Sequence, residues 1–191
     1  STPQNENGWY IAADMNPFQH WKCFIAMDFF SFPWKKYRIS KPSQGVDAMF
    51  RATYSPQRNV LMYVSYRYKC KERDKSGTKG AITLPTFHHS VRYRLDVLKK
   101  ALRWCTTVDY NHFHLQGEEG SVGFQFSQSC AYAFRSIPLN TFIQVSYFHT
   151  DSYDARVYNY ERSLLYTFYT PSFYGRGFRY SAVMRYDLSK S

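Results

Sequence analysis

Residues Phe178 to Leu188 alternate strictly between two kinds of side chain. Phe, Tyr, Ala, Met, Tyr and Leu occupy the even positions, whereas Arg, Ser, Val, Arg and Asp occupy the odd positions. Because successive side chains of a β-strand point to opposite faces, this pattern predicts a strand with one apolar, aromatic face and one charged face. If the pattern recurs along the chain, the two faces of the resulting sheet must meet different surroundings.

The same alternation recurs along most of the 191 residues, in segments separated by turn-forming residues. It predicts strands within residues 8–15, 21–30, 46–54, 60–69, 89–97, 102–111, 122–135 and 143–147. Short turns are predicted at 55–59, 99–100 and 136–138, and longer connections at 32–45 and 71–86. Strands of about ten residues, joined alternately by short and long connections, are typical of transmembrane β-barrels.

The strand count between residues 148 and 177 stays open at this stage. If 151–163 is one long loop, the chain has ten strands, and if 155–160 is itself a strand, it has eleven. An open sheet edge in lipid would leave backbone groups unpaired, which the bilayer does not tolerate. We therefore predict an all-β, antiparallel, up-and-down transmembrane β-barrel domain over residues 1–191. We expect it to be part of a larger barrel, completed by segments upstream and downstream.

The composition favours a sheet with two unlike faces and disfavours a protein with an ordinary globular core. Aromatic residues make up 20% of the chain, yet its mean hydropathy is −0.53. No apolar run approaches the roughly 18 to 20 residues that a membrane-spanning helix needs. The charged residues of the alternating segments would be costly to bury in a dry core. A wetted lumen removes that cost, and by position the sequence places on it Arg51, Arg67, Arg92, Arg94, Arg103, Arg179, Arg185, Asp47, Asp96, Asp109 and Asp187.

The opposite, membrane-facing side is predicted to carry the aromatic residues Trp9, Trp21, Phe50, Tyr66, Tyr93, Trp104, Phe124, Tyr132 and Tyr180. Two interpretations of the charged side remain open. It is either an ion-pair network that stiffens the barrel or a lumen that favours anionic solutes. The net charge of +11 leaves a similar choice between anionic lipid, nucleic acid, an anionic solute and cations merely scattered over loops.

Residue sets that could support chemistry are sparse. The pairs His88-His89 and His112-His114 are predicted to lie at the rim of an aromatic girdle, and no metal or cofactor is expected. A hydrolase trio of His112, Asp109 and Ser121 is the less favoured alternative. The four cysteines are far apart, Glu118-Glu119 indicates a loop tip, and residues 175–177 indicate a turn. We therefore expect no catalytic site.

Several distinctive segments resemble the β-barrel part of one bacterial family, most strongly DSYDARVYNYERSLLYTFYTPSFYGRGFRY at 151–180. Other matching segments are FSFPWKKYRISKPSQGVD (30–47), TLPTFHHSVRYRL (83–95) and TTVDYNHFH (106–114). The family consists of outer-membrane proteins of the Bacteroides group that carry helix-hairpin-helix, or competence-type, segments. The resemblance implies such segments upstream and further strands downstream. The DNA-binding role belongs to those upstream segments and does not transfer to these residues.

Together, the pattern and the resemblance predict a non-enzymatic barrel of the bacterial outer membrane. Its expected role is structural or transport-associated, as a subunit of a larger outer-membrane complex. The expected partners are outer-membrane lipid and other outer-membrane proteins. The alternative is a nucleic-acid-binding or DNA-uptake-related barrel, for which the net charge and the resemblance are the only support.

Overall fold

A computed structural model describes residues 6–35, 39–75, 82–159 and 170–188. Nine strands form one antiparallel sheet, and two short strands form a second. The strands are β1 (Asn7–Met15), β2 (Trp21–Phe32), β3 (Ser43–Gln57), β4 (Val60–Asp74), β5 (Thr83–Lys99), β6 (Leu102–Leu115), β7 (Ser121–Ala133), β8 (Leu139–Thr150), β9 (Val157–Tyr158), β10 (Ser172–Phe173) and β11 (Arg176–Tyr186). The predicted all-β, antiparallel architecture is confirmed.

The large sheet is a meander in which each strand pairs with the next, in the order β1-β2-β3-β4-β5-β6-β7-β8-β11. The connections at one end of the strands are short, and the β3–β4 and β5–β6 turns have only two residues. Lys100 sits in the β5–β6 turn with φ 56°, the left-handed conformation that tight hairpins use. The connections at the other end include the longest ones, β2–β3, β4–β5 and β8–β11. We call these the turn end and the loop end of the sheet.

Strands β4 and β5 extend further toward the loop end than the sequence predicts. The predicted loop over 71–86 shrinks because Lys71 pairs with Thr86 and Asp74 pairs with Thr83. Pro85 fits within β5 since its carbonyl accepts a hydrogen bond from Gln116, which lies just past the end of β6. The missing N–H of Pro85 faces that same side, where no ladder needs it. Charged residues can continue the strand here because their side chains remain exposed or partly exposed.

Of the two alternatives predicted for the connection between β8 and β11, the described residues test only the extra strand at 155–160. The candidate strand at 155–160 is reduced to the two-residue β9, which pairs with β10 and does not join the large sheet. A single 3₁₀ turn at Tyr153–Ala155 precedes it. Residues 160–169 lie outside the described residues. Within the described residues the large sheet has nine strands and is not closed into a barrel.

The burial pattern is the reverse of a soluble protein's. The fully buried side chains of the large sheet are polar, and they include Gln125, Ser146 and Thr86. Large apolar side chains on the other face are exposed, with Trp104 at 41% and Ile143 at 55%. Globular proteins bury apolar residues and expose polar ones. The interior of this fold therefore lies on its polar face.

Candidate functional site

The register divides the sheet into a polar face and an apolar face. Directly opposed residues of neighbouring strands share a face, so side chains can be followed strand by strand. Asp47 opposes Lys69, and Lys69 opposes His88, all on the polar face. The structure places every residue predicted to face a lumen on this side: Arg51, Arg67, Arg92, Arg94, Arg103, Arg179, Arg185, Asp47, Asp96 and Asp109 within the strands, and Asp187 just after β11.

Cross-strand ion pairs neutralise part of the charge on the polar face. The Arg67 guanidinium donates two hydrogen bonds to the Asp47 carboxylate, of 2.7 and 2.6 Å. The Lys69 ammonium donates a third at 2.9 Å. Nearer the turn end, Arg103 binds the Asp96 carboxylate through both Nε and Nη2, at 2.8 and 2.6 Å. Two-point arginine–carboxylate pairs fix both position and orientation. These pairs stiffen β3 to β6 against one another.

A segment of the β8–β11 connection, which we call the strap (residues 151–159), lies across the polar face. Its Ala155 and Val157 side chains are fully buried. Asn111 on β6 donates to the carbonyl of Arg156 at 2.8 Å, and Arg92 on β5 donates to the carbonyl of Tyr158 at 3.0 Å. These bonds give hydrogen-bond partners to carbonyls that the sheet shields from water. They also fasten the strap to the sheet along its backbone.

The far end of the strap joins a buried amide–hydroxyl network on β7 and β8. The Asn159 amide donates to Ser146 at 3.0 Å and accepts from Gln144 at 3.1 Å. Ser146 in turn lies 2.7 Å from the Ser127 hydroxyl. Gly123 on β7 makes room for the strap, because a Cβ built there would lie 1.9 Å from the Ala155 carbonyl oxygen. The strap therefore crosses from β4 to β8 in contact with the sheet.

A cavity of about 540 Å³ remains between the strap and strands β3 to β6. Its charged lining consists of Arg51, Arg67, Lys69, Lys71, Arg73, Arg92, Arg156, Asp109 and Asp154. His88, Thr86, Ser65 and Ser90 complete much of its polar surface. A smaller cavity of about 290 Å³ lies on the same face and shares Arg92 with the first. Cations dominate the larger cavity.

Three cations of the larger cavity have no carboxylate partner among the described residues. Arg51 lies over the Tyr63 ring at 5.0 Å, and its Nε is buried without a hydrogen-bond partner. Arg156 donates to the Tyr158 hydroxyl and to the Tyr153 carbonyl, both neutral. Lys71 makes no side-chain hydrogen bond or ion pair within the described residues. The described residues thus balance the positive charge of this cavity only in part.

The apolar face carries directly opposed rows of exposed apolar side chains. One row runs across six strands, with every member 37 to 42% exposed: Ile25, Phe50, Tyr66, Val91, Tyr110 and Phe124. The next row includes Tyr93, half-buried between Val64 and Val108. The remaining predicted membrane-facing aromatics, Trp9, Trp21, Trp104, Tyr132 and Tyr180, also lie exposed on this face. Between residues 60 and 70 of β4 no charged side chain points to it.

Aromatic and histidine rings cluster toward both ends of the apolar face. At the loop end, the Tyr66 hydroxyl lies 2.8 Å from His89 Nδ1, and the His89 and His112 rings are 6.0 Å apart. At the turn end, Trp21 lies 4.9 Å from Tyr54 between ring centroids. The structure places His89, His112 and His114 on this face, as expected for a rim, but His88 lines the cavity.

The alternative hydrolase trio is not assembled. Asp109 and His112 lie three positions apart on β6 and therefore point to opposite faces of the sheet. Ser121 shares the polar face and accepts a hydrogen bond from Ser152 at 2.9 Å. Among the described residues, no cluster of three or more His, Cys, Asp or Glu could hold a metal ion. All four cysteines are free.

Two smaller predictions concern the loops. Glu118 lies in the β6–β7 connection and pairs with Lys75 at 2.9 Å. Gly175 adopts φ +79° just before β11, a conformation that a turn requires and that glycine adopts without strain. Both residues therefore have structural roles at the loop end.

Asp74, the last residue of β4, joins three segments at the loop end, beyond the uncharged part of the apolar face. Its carboxylate accepts hydrogen bonds from the Thr83 hydroxyl at 2.6 Å and from the Ser40 N–H and hydroxyl at 2.9 and 2.8 Å. The Thr83 hydrogen bond, aided by those from Ser40, holds the pKa of Asp74 below its ordinary value. Asp74 thereby links the β2–β3 connection to the β4–β5 hairpin.

Several cavity residues were missed at the level of sequence. Lys69 ends the predicted strand on its polar side but was left out of the predicted charged set. Lys71 and Arg73 continue the same alternation, and they would have been found had the strand been extended past residue 70. Asp154 and Arg156 gave no such signal, because the strap is not part of the large sheet. His88 was assigned to the rim together with its neighbour, although alternation separates the two.

Comparisons with known proteins add no family assignment. No protein-family model, curated protein or solved structure matches the chain. Among the described residues, no helix is long and apolar enough to cross a membrane.

Proposed function

We propose that this chain forms part of the wall of a bacterial outer-membrane β-barrel, with a structural or transport-associated role and no catalytic activity. The supporting observation is the row Ile25, Phe50, Tyr66, Val91, Tyr110 and Phe124, which remains exposed across six strands. Monomeric soluble proteins rarely expose contiguous apolar patches larger than a few hundred Å². Lipid hydrocarbon is a solvent in which such a face is stable.

The dimensions of the apolar face suit a bilayer. Residues 60–70 of β4 place no charged side chain on the apolar face, and this stretch has the length of roughly 9 to 11 residues that a tilted strand needs to cross the hydrocarbon layer. Tyr66, Tyr68 and His89 lie toward one end of the face, and Trp21 and Tyr54 toward the other. Aromatic side chains concentrate at both interfaces of membrane barrels. The charged extensions of β4 and β5 would then stand in water at the loop end.

The two open edges determine how such a barrel can close. Eight antiparallel pairings separate β1 from β11, so these two edge strands run in the same direction. Antiparallel closure therefore requires an odd number of further strands between them. We propose that other strands, from the same polypeptide or from an outer-membrane partner, supply this number. The resemblance to Bacteroides-group outer-membrane proteins, with their further strands, supports this proposal.

The strap favours a barrel with a restricted lumen over a barrel with an open pore. It lies over the polar face, which would be the barrel interior, and it is held there by backbone and side-chain hydrogen bonds. Loops folded inward in this way narrow or plug the lumen of outer-membrane barrels. In this proposal the strap limits passage through this part of the interior.

Nucleic-acid handling is the weaker alternative. Its basis is the net charge of +11, but the strongest cluster of cations lines a cavity of about 540 Å³ beneath the strap. That space suits a small molecule and not a duplex about 20 Å wide, which needs an open, basic groove or surface.

The decisive experiment is reconstitution of the chain, together with the strands that close its sheet, into phospholipid vesicles, followed by a urea wash and flotation. The proposal predicts that the chain floats with the vesicles and retains a β-sheet circular dichroism spectrum. A folded chain that stays in the aqueous fraction would refute it. DNA binding that weakens steeply with salt would favour the nucleic-acid alternative.

A further inference from the structure

We propose that the cavity beneath the strap binds a small oxyanion that carries at least two negative charges. The inference concerns the polar face alone and does not require the apolar face to lie in a membrane. The cavity has an appropriate size for a small ligand. Ligand pockets typically enclose roughly 300 to 1,000 Å³, and this cavity encloses about 540 Å³.

The charge balance is the first argument. Seven cationic side chains line the cavity, and three carboxylates, those of Asp47, Asp109 and Asp154, are paired with four of them. Among the described residues, four positive charges are therefore in excess. Like charges held close together repel one another, and a multivalent anion removes that repulsion.

The unpaired cations are the second argument. Lys71 on β4 and Arg156 on the strap approach the cavity from opposite sides, whereas Arg51 on β3 lies nearer the turn end, opposite Ser65. None has a carboxylate partner among the described residues. A compact oxyanion can accept from several such donors at once, as phosphate and carboxylate groups do in protein sites.

Buried polar atoms without partners are the third argument. Among the described residues, three buried polar atoms of the cavity lining have no hydrogen-bond partner: His88 Nε2, Arg51 Nε and Asp109 Oδ2. Buried donors and acceptors in native proteins are nearly always satisfied, so these atoms indicate that a ligand or an ordered water completes the site. Asp109 Oδ2 needs a donor such as water, whereas Arg51 Nε is a donor that an anion satisfies. The charge excess favours an anion.

Oxyanion binding would also affect how firmly the strap is attached to the sheet. Arg156 lies on the strap and Lys71 on the sheet, so an oxyanion held by both would bridge the two. Ligand binding should then fasten the strap more tightly to the polar face. By linkage, any ligand that binds only the fastened state stabilises that state.

Isothermal titration calorimetry with pyrophosphate and with citrate tests this inference on the detergent-folded chain. The two anions separate phosphate from carboxylate chemistry. At least one of them should bind with one-to-one stoichiometry, more weakly as salt increases. Lys71→Gln should weaken that binding about tenfold or more, the effect of losing a charge-assisted hydrogen bond. Lys99→Gln, the same charge change at the exposed turn end of β5, should leave it unchanged.

Arg156→Gln provides a second variant that leaves the large sheet intact, because Arg156 lies on the strap and outside that sheet. It should weaken binding as Lys71→Gln does, and it keeps the inference testable if Lys71→Gln fails to fold. Absence of binding by both anions would overturn the inference. Equal weakening by Lys71→Gln and Lys99→Gln would also overturn it, since that result indicates nonspecific attraction to net charge.

Discussion

Arg73 on β4 and Asp154 on the strap are 81 residues apart in sequence and form a two-point ion pair. Nη1 lies 3.0 Å from Oδ1, and Nη2 lies 3.2 Å from Oδ2. Both side chains are about one-third exposed. The pair fastens the beginning of the strap to the loop end of the sheet, while Asn159 fastens its other end.

Asp154→Asn should loosen the strap without unfolding the sheet. A partly exposed pair contributes roughly 0.2 to 1 kcal/mol, so opening should become up to about fivefold more frequent. Hydrogen exchange of the Asp151 amide, which donates to the Val122 carbonyl on β7, reports that opening. Asp187→Asn, which removes the exposed pair with Arg185, is the matched control. Equal exchange in both variants would show that Arg73 and Asp154 do not hold the strap.

Gly123→Ala should displace the strap. The added Cβ would collide with the Ala155 carbonyl oxygen, which is backbone and cannot rotate away. Forced overpacking typically costs about 1 to 3 kcal/mol. A denaturant titration with strap amide exchange should show both destabilisation and loss of strap protection. Gly8→Ala, on edge strand β1, should spare the strap, and retention of full protection in Gly123→Ala would contradict the described contact.

Val64→Arg and Val183→Arg make the same substitution on opposite faces. Val64 is 46% exposed on the apolar face, whereas Val183 opposes Phe142 on the polar face. If the apolar face meets lipid, Val64→Arg should cost about 2 to 4 kcal/mol of folding free energy in bilayers, because arginine is expensive near the midplane. Val183→Arg should cost much less. Similar costs for the two variants, measured by reversible folding into vesicles, would contradict the assignment of faces.

Asp74 should make the loop end sensitive to acid. Its pKa is lowered in the folded state, so its hydrogen bonds stabilise the fold above the ordinary aspartate pKa, and that stability is lost as the pH falls through the lowered value. The Ser40 amide, which donates to Asp74, should lose exchange protection in that acid range. Asp74→Asn should remove this pH dependence. If acid reduces Ser40 protection equally in the wild type and in Asp74→Asn, the carboxylate is not the linking group.

The architecture was largely predictable because alternation is a local property. In β4, each residue from Val60 to Lys69 could be assigned to a face from its position alone. The ends of β4 and β5 were less predictable. Charged residues from Lys71 to Asp74 look like a loop in sequence, but in the structure their backbone pairs with β5.

The cavity was predictable only in part. Arg51, Arg67, Arg92 and Asp109 follow from the same alternation that predicts the strands. The strap does not, because Asp154 and Asn159 find their partners on β4 and β8 through the tertiary fold and not through any local pattern. The excess of cations appears only when the strap and the sheet are brought together.

Quenching of a single tryptophan by lipids brominated on their acyl chains tests the two-face arrangement most directly. Trp104 is 41% exposed on the apolar face, and the chain's other three tryptophans can be replaced by phenylalanine. In vesicles, brominated lipid should quench Trp104 strongly and should not quench Tyr63→Trp, a sensor on the polar face, in a chain otherwise free of tryptophan. If Trp104 is quenched by aqueous acrylamide and not by brominated lipid, the apolar face does not lie in the membrane.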